Sequence, residues 1–363
     1  MKILQFENRL QRGGGAEKFL LDLIIAEHQN NEVEVSLLNL VAPSTDEFSN
    51  HIKSVGIKVD KLSTSLYSPL NFIKLWKYIR DNDFDIVHVH LFPSLYFAVA
   101  CKFCQKKKPV LVYTEHSTNN RRRGKKIFQI FDRFFYKSYD CIFAISEKVK
   151  ESLENHVIGL PITVINNGID ISAIKQTPSV NIREELGLSD STVLLTMVSR
   201  FAWMKDYKTV FQSMKNLPDN IHFLCVGDGE GLEEHRRIVG NEGLNNRIHF
   251  LGLRSDVIGV MKASDIIILS SKYEGFSISM LEAMACGKPF VASDVPGLND
   301  NAAGVADFFE YQNADLLASV VKSLISDRTH YDNVAQRCYQ FAERYDINYI
   351  AQKYIDEYKK LRK

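Results

Sequence analysis

Short apolar runs alternate with stretches of helical period along almost all of the 363 residues. The runs predict strands at 2–6, 32–40, 57–62, 85–91, 109–116, 141–146 and 162–167. The rhythm repeats at 193–199, 221–227, 248–253, 265–270 and 289–293. Most runs are continuously apolar, which marks strands covered on both faces, as in parallel sheets. Amphipathic helices fit between them, for example at 16–28 and 70–80. Strands that alternate with helices predict doubly wound parallel sheets, and right-handed crossovers gather the strand C-termini on one edge. Turn chemistry in Asn166-Asn167-Gly168-Ile169-Asp170 and Thr177-Pro178-Ser179 predicts a break near 168–190. A helical tail is expected over 328–363. The fold class expected is α/β, with two Rossmann-like doubly wound domains facing a cleft.

The carboxyl edges of such sheets are where α/β proteins hold phosphates. Four segments carry chemistry there. After the run at 265–270 comes Glu274-Gly275-Phe276-Ser277, then a helix that Ser277 caps and Gly287 closes, with Glu282 inside it. Free backbone N–H groups and the positive helix end suit a phosphate, and the two acids suit hydroxyl-rich parts of one ligand. The segment reads as a nucleotide-sugar pocket; read alone, it is equally a capped helix with two solvated acids. Arg200 and Lys205 follow the run at 193–199. Arg offers a bidentate fork and Lys a point charge, a pair suited to a diphosphate leaving group or to a solvated basic loop. His116 ends a strand and could donate to a sugar or serve as acid or base. Gly13-Gly14-Gly15 opens the first helix, where glycine admits close approach of a ligand, although the spacing is not that of a dinucleotide fingerprint.

Bulk properties narrow the class. Apolar residues make up 45% and charged residues 25% of the chain, as in folded globular proteins. A formal net charge of +1 argues against nucleic-acid binding. Six scattered cysteines, among them Cys101 and Cys104, supply no zinc-type spacing and suit a reducing compartment. His88 and His90 share a strand face but lack a third ligand, so no metal is expected. Glu7 and Arg9 interrupt the only early apolar stretch, and no run is long enough to span a bilayer. The expected location is the cytoplasm, with peripheral attachment to the inner face of the cell membrane open to it. Residues 101–137 hold eleven Lys+Arg against two acids. Within them, Arg121-Arg122-Arg123 leads into Phe128, Phe131 and Phe135 at helix-face spacing. Such a segment at 121–137 can lie on an anionic membrane surface, or pack its aromatic stripe inward under solvated cations.

Taken together, the motifs resemble the retaining glycosyltransferases of family 4, which have the GT-B fold. They are Gly13-Gly14-Gly15-Ala16-Glu17, the run from Asp85 to His90, the run from Val164 to Asp170, Ser199-Arg200 with Lys205-Asp206, Val226-Gly-Asp-Gly229, Phe250-Leu-Gly252 and the Glu274/Glu282 pair. The resemblance covers nearly the whole chain. It implies an acceptor domain at 1–170, a nucleotide-sugar domain at 171–345, and a final helix at 346–363 packing back on the first domain. It also implies roles. Arg200 and Lys205 hold the donor diphosphate, assisted by the backbone of Gly275, Phe276 and Ser277. Glu282 takes the ribose hydroxyls, Glu274 the donor sugar, and His116 touches the sugar. The loop at Gly252 and Arg254 borders the base, and Gly14 and Gly15 line the ligand. The donor is expected to be a UDP-linked sugar, the acceptor a glycan or lipid-linked hydroxyl, and no metal is needed. Asp206 departs from the commoner Lys-Gly pair and puts the local loop shape in question. A nucleotide-sugar epimerase, a phosphorylase or a non-catalytic nucleotide-binding protein are the alternative readings.

Overall fold

The structure, a computed structural model, describes residues 1–45, 47–103, 108–117 and 126–362. The chain separates into two compact units, one formed by Met1–Gly168 with Ile347–Lys363 and the other by Ile169–Asp346.

The first unit is built on a seven-stranded sheet: β1 (Lys2–Glu7), β2 (Glu34–Val41), β3 (Lys58–Ser63), β4 (Ile86–His90), β5 (Val110–Glu115), β6 (Cys141–Ala144) and β7 (Ile162–Val164). All neighbours pair in parallel, in the order β3-β2-β1-β4-β5-β6-β7. The order reverses between β1 and β4, so crossovers leave these two neighbours toward opposite faces and open a crevice at their carboxyl ends. β4 is buried at all five positions, as a strand sandwiched by helices must be. Helix α1 (Gly15–His28) covers one face and packs beside the last helix of the chain.

The second unit holds six parallel strands: β8 (Val193–Val198), β9 (Ile221–Val226), β10 (Ile248–Gly252), β11 (Ile266–Leu269), β12 (Phe290–Asp294) and β13 (Asp307–Glu310). Their order, β10-β9-β8-β11-β12-β13, places the switch point between β8 and β11. The loops that follow these two strands are those carrying Arg200 with Lys205, and Glu274.

Every strand expected from the apolar runs is present, each within two residues of its expected ends except β7, which stops three residues early. β13 was not expected; it is a four-residue edge strand with one buried position, too short for a periodicity signal. The expected helical tail is two helices, Arg328–Glu343 in the second unit and Ile347–Leu361 in the first. Among the described residues no helix is long and apolar enough to cross a membrane.

Candidate active site

The loop after β8 is held by backbone on two sides. Phe201 N–H donates to the Asp228 carbonyl at 2.9 Å, and Gly231 N–H donates to the Phe201 carbonyl at 2.9 Å. This closeness demands glycine: a Cβ on Gly229 would lie 2.6 Å from the Phe201 carbonyl oxygen, and one on Gly227 2.1 Å from that of Ser199. Both glycines also have positive φ, a region closed to most side chains. Beneath the loop, Phe201 stacks on Tyr207 with ring centroids 4.1 Å apart, and the Tyr207 hydroxyl donates to the Ser199 carbonyl. Asp206 caps the helix Tyr207–Met214, accepting from the Thr209 N–H at 3.2 Å and its hydroxyl at 2.6 Å. Its φ of −100° lies in a region that needs no glycine.

The loops after β8 and β11 are zipped together. Asp206 N–H donates to the Ser270 carbonyl and Lys272 N–H to the Met204 carbonyl. Lys205 and Ser271 form a β-bridge. This zipper brings Lys205 Nζ to 2.5 Å from Glu274 Oε1, each side chain only 13% exposed. Ser271 Oγ donates to the same carboxylate oxygen at 2.7 Å. Both contacts fall on Oε1, and Lys205 keeps two further N–H donors for a ligand. Arg200 lies exposed on the preceding turn and has no ion pair among the described residues. Gly275, Phe276 and Ser277 then lead into α3 (residues 278–285 of the chain), whose first turn is capped by Ser277 Oγ accepting from the Met280 N–H. Phe276 is buried at this turn, its ring 4.9 Å from that of Tyr345. Glu282 sits half-buried one turn into α3; burial, helped by this acid's charge, pushes the Cys286 thiol up to about 12.

The first unit presents a different arrangement at its carboxyl edge. Gln5, His88, His90 and Thr114 project to one face of β1, β4 and β5, and the register pairs Gln5 with His88 and His90 with Thr114. All four are at most 1% exposed. His116, just past β5, places Nε2 3.1 Å from His90 Nδ1, and His90 Nε2 lies 2.8 Å from Gln5 Oε1. Gln5 Nε2 donates to Glu27 Oε2 at 2.8 Å. Burial lowers the pKa of His116 to about 4 and those of His88 and His90 well below the ordinary value. His116 is therefore uncharged at neutral pH and offers hydrogen bonding rather than charge. Burial raises Glu27 to about 8, against the pull of hydrogen bonds from Gln5 and Tyr358.

The remaining expected residues occupy less committed positions. Gly13 and Gly15 are exposed and Gly14 caps α1 in extended backbone; a Cβ on Gly13 would meet nothing within 4 Å. Gly252 ends β10 with φ of +65°. The Arg254 guanidinium is engaged by Glu185 and Asp256, at 2.6 to 3.1 Å, which fixes the shape of its loop. Among the described residues no group of three or more His, Cys, Asp or Glu side chains is placed so that it could hold a metal ion.

Two family models match this chain. "Glycosyltransferase Family 4" matches residues 13–173 and "Glycosyl transferases group 1" matches residues 179–343. The chain belongs to the GT4-type glycosyltransferases. Among curated relatives, it is 35% identical over 172 residues to an N,N'-diacetylbacillosaminyl-diphospho-undecaprenol alpha-1,3-N-acetylgalactosaminyltransferase of Campylobacter jejuni. That match covers 47% of this chain and 45% of the relative, so it spans about half of each. It is 27% identical over 290 residues to a UDP-Gal:alpha-D-GlcNAc-diphosphoundecaprenol alpha-1,3-galactosyltransferase of Escherichia coli, with 74% of each covered. A crystal structure of HepE from Anabaena in complex with UDP and glucose shares the fold, with a TM-score of 0.84 at 21% identity over 98% of this chain and 99% of that one. For this GT4-type enzyme the comparisons favour sugar transfer over the epimerase and non-catalytic alternatives.

Sequence reasoning missed two parts of the transferase. Gly297 has φ of +86°, and a Cβ there would lie 2.0 Å from the Glu274 carbonyl oxygen. With the Glu274 N–H donating to the Pro296 carbonyl, Gly297 fixes the backbone from which the Glu274 side chain springs. The Pro296-Gly297 pair was the available signal. The second omission is the buried set Gln5, Glu27 and Tyr358, which no local motif connects.

Two outcomes follow. Gly297→Ala forces both a left-handed alanine, costing about 1–2 kcal/mol, and a backbone clash. Urea denaturation should show a loss of at least about 2 kcal/mol, with transferase activity falling further than stability explains. For Glu27, the folded pKa of about 8 lies above the usual carboxyl value. Its contribution is full when the group is protonated in both states and is lost as pH rises from the unfolded value through about 8. Melting curves across that window should therefore decline more steeply for the parent than for Glu27→Gln, and parallel profiles would refute the assignment.

Proposed function

We propose that this chain transfers a sugar from a UDP-linked donor to a hydroxyl of an envelope-polysaccharide or lipid-linked acceptor, with retention at the anomeric carbon. The observation that carries the reading is the zipped pair of loops at the β8/β11 switch point. It sets Lys205 and Glu274 2.5 Å apart beside the opening of α3. The activities of the two bacterial relatives, both named for diphospho-undecaprenol-linked sugars, support the acceptor class.

In this reading Arg200 and Lys205 bind the diphosphate, and the backbone N–H groups at Gly275, Phe276 and Ser277 add a helix N-terminus to the same charge. Glu274 Oε2 accepts from the donor sugar, Glu282 from the ribose, and His116 contacts the sugar. Gly252 and Arg254 border the base, with Arg254 acting through the shape of its loop, and Gly14 and Gly15 lie along the ligand. The bond from the anomeric carbon to the phosphate oxygen breaks while the acceptor oxygen attaches on the same face. The acceptor proton passes to the departing phosphate. The protein's main contribution is to stabilise that developing anion in place, and no step requires a metal.

The enzyme works at an anionic membrane surface through α2, the helix Lys126–Tyr136. Asp132 and Tyr136 anchor its inner face: Asp132 Oδ2 pairs with His156 at 2.9 Å, and the Tyr136 hydroxyl donates to Glu115 at 2.9 Å. Phe135 stacks on Tyr96 at 4.2 Å. Contrary to an inward aromatic stripe, Phe131 is 54% exposed, together with Ile130 at 73% and Phe134 at 66%. Arg133 and Lys137 flank this patch, which suits it to the boundary between headgroups and acyl chains. Arg121, Arg122 and Arg123 lie outside the described residues.

Arg200→Ala and Glu274→Ala should each lower kcat/KM by about 2–4 kcal/mol of transition-state stabilisation. Radiolabelled transfer from UDP-sugars to membrane extracts measures it, and parental turnover in either variant would remove these residues from the site. Replacing Ile130 and Phe134 by Asp should reduce sedimentation with anionic vesicles by more than about tenfold, leaving the thermal shift produced by UDP unchanged. Equal recovery with neutral and anionic vesicles in the parent would exclude the membrane role.

A further inference from the structure

His116 is the outermost member of a buried hydrogen-bonded chain whose direction can be worked out atom by atom. The chain begins at Glu27 on α1. Glu27 Oε2 receives Gln5 Nε2 at 2.8 Å and Oε1 receives the Tyr358 hydroxyl at 3.1 Å. An amide that turns its NH2 toward a carboxyl oxygen turns its carbonyl the other way, and Gln5 Oε1 lies 2.8 Å from His90 Nε2. A carbonyl only accepts, so His90 carries its proton on Nε2. His90 Nδ1 is then a bare lone pair. The atom facing it at 3.1 Å, His116 Nε2, must be the donor. A neutral imidazole has one N–H, so His116 Nδ1 is left without a proton. That atom is buried and has no hydrogen-bond partner among the described residues. The ring itself is braced by the edge of Phe19, 6.1 Å away on the first turns of α1.

We propose that Glu27, acting through Gln5 and His90, holds His116 in the Nε2–H tautomer, so that its bare Nδ1 accepts a hydrogen bond from a hydroxyl of the bound nucleotide sugar.

Glu27, Gln5 and His90 are positioning residues in this scheme; His116 alone touches the sugar. A buried acceptor with no donor is costly, which is how such a site discriminates: a sugar with the hydroxyl satisfies it and one lacking it does not. The polarity survives protonation of Glu27 on Oε1. The new O–H donates to Tyr358, and the Tyr358 hydroxyl turns to His88 Nδ1, 2.6 Å away. His88 Nε2–H then turns to Thr114 Oγ1 at 2.7 Å. Oε2 remains an acceptor for Gln5, so only the Tyr358 branch reverses. This branch also ties the last helix of the chain, through Tyr358, to the carboxyl that orients the site.

The sugar contact rests on the transferase reading, whereas the tautomer does not, and one set of spectra separates them. The full chain is labelled with 15N-histidine, and the His116 ring signals are assigned by their loss in His116→Asn. In the unliganded protein Nε2 should resonate as a protonated nitrogen and Nδ1 as an unprotonated one. A proton on Nδ1 would overturn the proposal, whatever the enzyme does. Gln5→Met, which keeps the side-chain volume but removes the carbonyl, should mix or invert the His116 tautomer; an unchanged tautomer would break the relay. If that variant does not fold, the spectrum of the parent still decides. Adding UDP-glucose should move the Nδ1 signal toward the hydrogen-bonded range, whereas UDP alone should leave it in place. Binding of UDP-glucose with Nδ1 unmoved would overturn the sugar contact. Failure of both ligands to bind would instead count against the nucleotide-sugar reading, with the tautomer still decided by the unliganded spectrum.

Discussion

The adjacency of β8 and β11 is the constraint on which the candidate site depends. They are sequence-distant strands, made neighbours because the chain winds outward from β8 in one direction and returns to wind in the other. Their following loops therefore start side by side, and backbone hydrogen bonds zip them before any charged group is placed. The Lys205–Glu274 pair is a consequence of that zipper. A pair this shielded contributes little net stability, because desolvation offsets most of the Coulombic gain. The glycines at 227, 229 and 297 point the same way: each admits a backbone approach that any side chain would forbid, and each approach ends on a site loop.

The first unit solves an opposite problem. It buries a carboxyl from α1 against a carboxamide and two histidines of one sheet face without opposing charges. Burial suppresses ionisation of the histidines and raises the carboxyl, so the cluster is held by directed hydrogen bonds between groups that are neutral or nearly so. Rings of Phe143, Tyr354 and Tyr358 surround His88 within about 6 Å and exclude water, which strengthens each bond and makes any missing partner costly. Order of this kind is directional. It fixes which atom of the terminal ring carries a proton, something a charge pair cannot do.

Much of this was legible in the sequence. Twelve apolar runs, most of them continuous, correspond to twelve strands, since a buried parallel strand needs apolar residues on both faces. Ser277 read correctly as a helix cap because capping is local chemistry, and Asp206, which had put the loop shape in question, is another cap. What was not legible is non-local. Glu27 looks like one more acid on an amphipathic helix until α1, β1 and the final helix bring Gln5 and Tyr358 to it. Periodicity placed Phe128, Phe131 and Phe135 on one face of α2. It could not show that Asp132 and Tyr136, a polar anchor and a large aromatic, would take the inward side and turn Phe131 out.

That inversion has a physical logic. A helix whose inner face is fastened by an Asp–His contact, a Tyr–Glu hydrogen bond and the Phe135–Tyr96 stack does not need its remaining large apolar residues for the core. Ile130, Phe131 and Phe134 then remain exposed at a cost of roughly 1.5–3 kcal/mol each compared with burial. An isolated exposed apolar residue is unremarkable, but three within five positions, flanked by Arg133 and Lys137, form a contiguous patch that water alone does not favour. A membrane boundary removes the apolar cost and uses the flanking cations at once. A protein partner would remove only the first unless it were also acidic. In the proposed reading, the pairing of the two features on one helix face is what favours a lipid surface over a protein partner.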